Sequence, residues 1–357
     1  MNKVITYIDD WNTLFRKIPK TINDRTYEIM CGSNNCIDLD GYMNLKSKLA
    51  ILMNDVGKFE YINHLTGDQT IVNAVVIAMK YLEIKNVYVM RDAFHGITLK
   101  SFRDKIINPG NILITELEID FFDSMCVTFN ENSLLILEPF LFFAKYGNEG
   151  IEIIRTIVSV AKSKRAFILF DEVRSGAFCT GTFLFTQQCF PIDVDFICFS
   201  KGLALGVPTS VLAIKEGIFS KNIIKKEDQL KSCMSNSEIA MQRSNDLLEY
   251  YLNNIEYFNR KMFCVTEKIK DCFSPFVKFS SVRQVNIVGL CCVFVFDENV
   301  KKSKLKFLWL YLLSKNIEAR HNEENLWFMN FALDTTDKEL FIVKNALLEA
   351  FQLCLLN

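Results

Sequence analysis

Lys201 stands where an apolar run, Asp195-Phe196-Ile197-Cys198-Phe199-Ser200-Lys201, gives way to a small-residue loop, Gly202-Leu203-Ala204-Leu205-Gly206. About thirty residues upstream a second apolar run ends in the opposite charge, Phe167-Ile168-Leu169-Phe170-Asp171-Glu172-Val173. An amine and a carboxylate, each presented at the end of a buried strand, have a specific joint use. The amine condenses with an aldehyde to form a Schiff base. The carboxylate holds a proton on a pyridine nitrogen, so that the ring accepts electrons. This is the pair that a pyridoxal 5'-phosphate site requires.

Such a pair works only if other elements bring it together, and the surrounding pattern supplies them. The run 70–82 is apolar nearly all round, as expected of a helix buried on several sides, and Thr66-Gly67-Asp68-Gln69 before it reads as a turn and N-cap. Strands are expected at 86–90, at 133–137 ending on Glu138-Pro139, at 167–170, at 194–199 and at 210–214, with an amphipathic helix over 151–162. Strands alternating with helices predict an α/β layer with a mostly parallel central sheet. Ligands of such sheets gather beyond the carboxyl ends of the strands. Phe94, Glu138, Asp171 and Lys201 each sit just past a strand end, so the fold class predicts their convergence. Glu138 is open to two readings, a site carboxylate or a buried structural one.

Residues 1–55 read as an N-terminal segment, 56–255 as the large domain and 256–357 as a small α/β domain. In the first, the run 42–53 carries Leu45, Leu49 and Leu52 on one helical face. Ser237 caps a long helix over 239–252 that leaves the large domain. The small domain follows with strands at 290–296 and 326–333 and helices at 305–313 and 337–355. Half of the 357 residues are apolar and 31 are Phe, enough for a sizeable core. The 41 basic and 42 acidic side chains balance, which speaks against a nucleic-acid or membrane-surface partner. The longest apolar stretch, 133–144, is interrupted by Glu138-Pro139 and is shorter than the roughly 20 residues of a membrane span. The first ten residues hold two acids and no apolar run, so no signal peptide is expected. Twelve cysteines without CxxC spacing read as reduced thiols of a cytoplasmic protein. His64, His95 and His321 lack metal-ligand spacing, so no metal site is expected.

At this point the residues resemble a family. Asp171-Glu172-Val173-Arg174-Ser175-Gly176-Ala177-Phe178-Cys179-Thr180-Gly181, followed at the family's spacing by Ser200-Lys201-Gly202, resembles the class III, fold-type I, pyridoxal-phosphate aminotransferases. Ala93-Phe94-His95-Gly96 with Thr98-Leu99 is similar to the family's ring-stacking loop. The wording around Gly181-Thr182-Phe183 and Val207-Pro208 is most similar to diaminobutyrate–2-oxoglutarate aminotransferases. The resemblance implies a Schiff-base role for Lys201, a pyridinium partner in Asp171, ring stacking by Phe94 and packing on the opposite face by Val173. It groups His95 and Glu172 with the cofactor residues; for Glu172 a contact on the ring's 3-hydroxyl side and a structural pairing both stay open. Gly67 and Asp68 fall at the phosphate cup, and Ser232 where the family has a Thr that reaches the partner subunit's phosphate. A homodimer is implied, with a small amine or amino acid and a 2-oxo acid as substrates, the amine being the terminal one of a diamino acid or a related small amine.

Two positions depart from the family pattern. Asp68 replaces a hydroxyl residue beside the phosphate. Phe328, in Leu326-Trp327-Phe328-Met329-Asn330, replaces the arginine that binds the substrate carboxylate, with Arg320 and Arg174 as possible substitutes. A decarboxylase, lyase or cyclase on an unusual biosynthetic substrate, or a non-catalytic homologue, therefore stands as the alternative to amino transfer.

Overall fold

The computed structural model describes residues 20–32, 38–53, 57–104, 112–118, 128–176, 186, 192–218, 237–321 and 325–354. Two helices, α1 (Lys20–Gly32) and α2 (Leu39–Met53), come first. Then follow β1 (Phe59–His64), α3 (Gly67–Leu82), β2 (Asn86–Met90), α4 (Ile97–Arg103), β3 (Leu113–Leu117) and β4 (Ser133–Leu137). Next are α5 (Pro139–Tyr146), α6 (Gly150–Ser163), β5 (Phe167–Asp171), β6 (Phe196–Phe199) and β7 (Ser210–Lys215). After them come α7 (Glu238–Asn253), α8 (Ile255–Phe273), β8 (Val282–Val288) and β9 (Cys291–Phe296). The chain closes with α9 (Lys302–Ser314), β10 (Arg320–His321), β11 (Leu326–Asn330) and α10 (Asp337–Cys354).

A seven-stranded sheet runs in the order β1-β7-β6-β5-β4-β2-β3. The five strands from β6 to β3 are parallel, and β7 is antiparallel to both β6 and β1. Its middle strands are apolar on both faces because both faces are covered. Leu135 and Leu137 join the core on one side and Leu134 and Ile136 the core on the other. Helix α3 packs its Ile71, Ala74, Val75 and Ala78 on the second side, and α6 packs Ile154, Ile157, Val158 and Ala161 on the first. Lys162 and the Ile168 amide both donate to Asp195, at 2.6 and 2.7 Å, tying α6 and β5 to the start of β6.

The direction of β7 follows from its place in the chain: the loop 200–209 is too short for a parallel crossover, so the strand returns alongside β6. The apolar stretch 133–144 divides into a strand and a helix, because Pro139 at the first helical position starts α5. The weakly patterned α1, β1, β3, α4, α8, β8 and β10 carry no sequence expectation.

A second, four-stranded antiparallel sheet has the order β10-β11-β9-β8. An aromatic cluster lies against it: Phe273, Phe276, Phe294 and Phe351 touch with ring centroids 5.3–6.5 Å apart. Cys198, Cys264, Cys272, Cys291, Cys292 and Cys354 are free thiols, four of them buried. No helix among the described residues is long and apolar enough to cross a membrane, and no group of three or more potential ligands that could hold a metal ion occurs among them.

Candidate active site

All strands of the large sheet except β7 point the same way, so one edge collects the segments after β1, β2, β4, β5 and β6, together with the start of β7. That edge carries a cavity of about 420 Å³ whose lining includes Gly67, Phe94, Asp171, Val173 and Lys201. The convergence that the sequence predicts is thus the observed arrangement. A larger cavity of about 720 Å³ adjoins it and shares Phe94, His95, Gly96, Glu138, Arg174 and Arg320.

Lys201 opens a single 3-10 turn, Lys201–Leu203, at a φ of 43°. A non-glycine residue in this left-handed region is strained and persists only where its surroundings hold it. The holders come from both directions. Ser200 Oγ donates to the Thr209 carbonyl at 3.0 Å, closing the base of the loop. From α7, the buried Arg243 donates to the carbonyls of Ala204 and Leu205, and Tyr251 donates to the Gly202 carbonyl. Sequence reasoning missed Arg243 and Tyr251. Both lie on an amphipathic helix about forty residues downstream, where no local pattern marks them.

Asp171 ends β5 and is buried. Its Oδ1 accepts from the Val173 amide at 3.0 Å, and its Oδ2 lies 2.8 Å from His95 Nδ1, whose N–H donates to it. Both side chains of that pair are almost fully shielded, 3% and 4% exposed, so the carboxylate has one orientation. On β6, Cys198 lies directly across from Asp171 in the sheet. Burial, and then the Asp171 charge, push its thiol well up, so it stays protonated and is no nucleophile.

Glu138, directly after β4, lines both cavities and is 7% exposed. It accepts from the Phe94 amide at 3.1 Å and so positions the loop that carries Phe94 and His95. Burial first, then the negative Asp171, raise its pKa, while Arg174, His95 and the Phe94 hydrogen bond pull the other way. Phe94 itself is 52% exposed on the cavity rim, so its ring is not a core residue.

Asp68 lines the cavity at the start of α3, with its side chain engaged elsewhere. Its carboxylate is taken by Thr98, whose amide and hydroxyl donate to it at 3.0 and 2.5 Å. The repulsive side chain is thereby turned onto the N-terminal turn of α4. Thr66 caps α3 through Gln69 N, and Thr70 N donates to the Thr66 carbonyl. The amides of Gly67 and Asp68, first in a sixteen-residue helix, find no acceptor among the described residues. Gly67 is needed here for close approach: a Cβ would meet both methyls of Val173 at 3.0 Å.

Glu172 is fully buried, does not line the cavity, and its carboxylate accepts from Ser175 Oγ and from Thr186 N. Of the two readings open for it, the structure has the structural pairing. Its neighbours Asp171 and Val173 face the cavity, and successive side chains in extended chain point to opposite sides. Ser232 and Thr180-Gly181 lie outside the described residues.

Fold and cavity together define an α/β protein with a cavity beyond the carboxyl ends of its parallel strands, where the ligands of such sheets gather. The sequence profile of class-III aminotransferases matches residues 135–348. The chain belongs to that family, whose cofactor is pyridoxal phosphate. It is 27% identical over 169 residues to a [LysW]-aminoadipate semialdehyde/glutamate semialdehyde transaminase of Pyrococcus furiosus, covering 43% of each chain. It is 25% identical over 233 residues to the diaminobutyrate–2-oxoglutarate transaminase of Sporosarcina pasteurii, covering 52% of this chain and 54% of that one. The chain thus spans about half the length of these curated relatives. In fold it is similar to the taurine:2-oxoglutarate aminotransferase of Bifidobacterium kashiwanohense in complex with PLP and glutamate. That match has a TM-score of 0.80 at 14% identity and covers 99% and 93% of the two chains. A phospholyase from Arthrobacter shares the fold as well, with a TM-score of 0.73 at 13% identity over 92% and 87% of the chains.

The residues present fit the cofactor. The cavity offers one amine, one oriented carboxylate, a ring at the rim and two helix-terminal amides, the donor set that an aldehyde, a pyridine nitrogen, a flat ring and a phosphate require.

Proposed function

We propose that this chain is a pyridoxal-phosphate aminotransferase. It moves an amino group from a small amine or amino acid, such as the terminal amine of a diamino acid, to a 2-oxo acid. The observation that carries the reading is that Asp171, at the end of one strand, and Lys201, just past the end of the adjacent parallel strand, line one cavity. The family match and the relatives named as transaminases support it.

When bound, pyridoxal phosphate supplies an electron sink for the carbon that bears the substrate amine. Lys201 Nζ would hold the cofactor and would serve as the general base and acid beside the carbon that bears the substrate amine. Asp171 holds a proton on the ring nitrogen, and His95 keeps that carboxylate in register. Phe94 and Val173, which both line the cavity, would pack on the ring. The Gly67 and Asp68 amides receive the phosphate at the positive end of α3. By the family resemblance, Ser232 would reach the partner subunit's phosphate in a homodimer. Residues 56–255 form the cofactor domain and 256–357 the small domain, a division that the two separate sheets support. Charge balance and free thiols support a cytoplasmic location.

The test is the visible spectrum of the purified chain with pyridoxal phosphate. A lysine-dependent band is expected, absent in Lys201→Ala. Its absence from the wild type at saturating cofactor would overturn the reading. With the band present, a new amino acid formed from an added 2-oxo acid supports amino transfer. Carbon dioxide or an elimination product without it supports decarboxylation or lyase chemistry instead. Asp171→Ala should lower turnover by about 10³-fold, as loss of a preorganised charge at a reacting centre does.

A further inference from the structure

Arg320 lies on the two-residue strand β10, and the antiparallel register pairs it directly with Phe328. Paired residues of neighbouring strands present their side chains on the same face. The arginine thus faces the same way as the phenylalanine, and it lines both cavities. Phe328 in turn backs a second guanidinium: Arg174 Cζ lies 4.6 Å from its ring centroid and 3.8 Å from that of Phe140.

Among the described residues, the carboxylates that line the two cavities with Arg320 have other partners. Asp171 takes His95, Asp68 takes Thr98, Asp92 takes Lys145 at 2.7 Å, and Glu116 takes Arg103 at 2.5 Å. Glu138 is buried against the Phe94 amide. Arg320 itself has no ion pair or hydrogen bond among the described residues. It is solvent-exposed, so it needs no protein partner to be stable there. Arg320 thus lines the region where the two cavities meet, which also carries three rings, Phe94, Phe140 and Phe328.

We infer that Arg320 is the specificity-determining residue for the substrate's carboxylate, supplied from the strand beside the one that carries Phe328. The inference rests on the proposed amino transfer for its substrate class: an amine or 2-oxo acid with a short hydrocarbon chain between the reacting carbon and a carboxylate. The chain lies on the rings, and the planar carboxylate meets the guanidinium fork, which matches it with two parallel hydrogen bonds.

The test titrates butanoate and its neutral counterpart butanamide by calorimetry into the wild type, Arg320→Gln and Arg320→Lys, with and without pyridoxal phosphate. Butanoate is expected to bind the wild type more tightly than butanamide. Arg320→Gln should weaken butanoate about 10- to 100-fold and leave butanamide unchanged, the loss of a charged hydrogen-bonding partner. Arg320→Lys should recover part of that loss, because an ammonium keeps the charge without the fork. In turnover, Arg320→Gln should raise KM for carboxylate-bearing amines and for the 2-oxo acid, change kcat little, and leave the KM of carboxylate-free amines unaffected. Equal binding of butanoate and butanamide to the wild type, or unchanged butanoate affinity in Arg320→Gln, overturns the inference. Circular dichroism of each variant separates these outcomes from misfolding. A chain that takes up no cofactor fails the proposed function, and the cofactor-free titration still reads Arg320.

Discussion

Glu138 and Asp171 are two carboxylates facing one cavity, and their surroundings treat them differently. Asp171 is held by His95 and the Val173 amide, whereas Glu138 has one amide and a negative neighbour. Burial raises the Glu138 pKa above its unfolded value of about 4.3, so the folded protein keeps a proton that the unfolded chain has released. Its contribution to stability is therefore present below the unfolded value and is lost as pH rises through the folded one. Glu138→Gln removes that dependence while keeping an acceptor for the Phe94 amide. Relative to wild type, the variant should gain stability as pH rises above the unfolded value, measured by urea unfolding at several pH values. A difference that stays constant across those pH values would show that Glu138 ionises as easily in the folded protein as in the unfolded one. Of the site residues, Lys201, Asp171 and Phe94 were legible because an apolar run ending in a charge or ring marks a strand end. The destinations of Glu172 and Asp68 were not, because their partners Ser175, Thr186 and Thr98 are ordinary loop and helix residues.

Helix α3 and the loop before α4 act as one element through Asp68 and Thr98. Gly96 makes the contact possible: its φ is +92°, and a Cβ there would stand 1.9 Å from Asp68 Oδ1. Gly96→Ala is strained by its backbone and expels the Asp68 carboxylate from its donors. It should destabilise the protein by at least about 2 kcal/mol, the sum of a left-handed backbone penalty and a broken charged hydrogen bond. Because the same loop carries Phe94 and His95, cofactor affinity should fall as well. Asp68→Ala tests the tether alone. It removes the hydrogen bonds without backbone strain and should cost about 1–3 kcal/mol. Denaturant midpoints and cofactor titration measure both, and a Gly96→Ala variant as stable as wild type would rule out the tether. Helices α3 and α7 were legible from Thr66 and Ser237, whose side chains do accept from Gln69 N and Ala240 N. Helix α4 was not, since its seven residues carry no periodic apolar face.

Across the whole molecule the site joins two sheets. Phe328 of the smaller sheet lies 6.0 Å from Phe140, which follows the larger one, with Arg174 against both rings. Stability of the smaller sheet therefore bears on the cavity. Phe294 is 1% exposed and contacts Phe273, Phe276, Phe296 and Phe351. Phe294→Ala should cost about 3–5 kcal/mol, as deletion of a buried ring does. Thermal or urea unfolding measures it, and a loss under about 1 kcal/mol would mean that the cluster refills the space. The proposed homodimer is checked by sedimentation equilibrium, where a monomer at micromolar concentration would remove the partner's Ser232 from the mechanism.

By itself the sequence determined the chemistry and the layer. Parallel strands buried on both faces must be continuously apolar, so β2, β4, β5 and β6 announce themselves, and with them the positions of Lys201 and Asp171 at their ends. Capping residues announce helix starts for an equally local reason. The tertiary structure alone decided what depends on pairing between distant segments. It brought His95 to Asp171, turned Asp68 to Thr98, reversed β7, braced the Lys201 loop with Arg243 and Tyr251, and set Arg320 opposite Phe328. Local periodicity encodes which side chains are buried. Register and cross-chain contacts are chosen by the packing of the whole, so no stretch of sequence carries them alone.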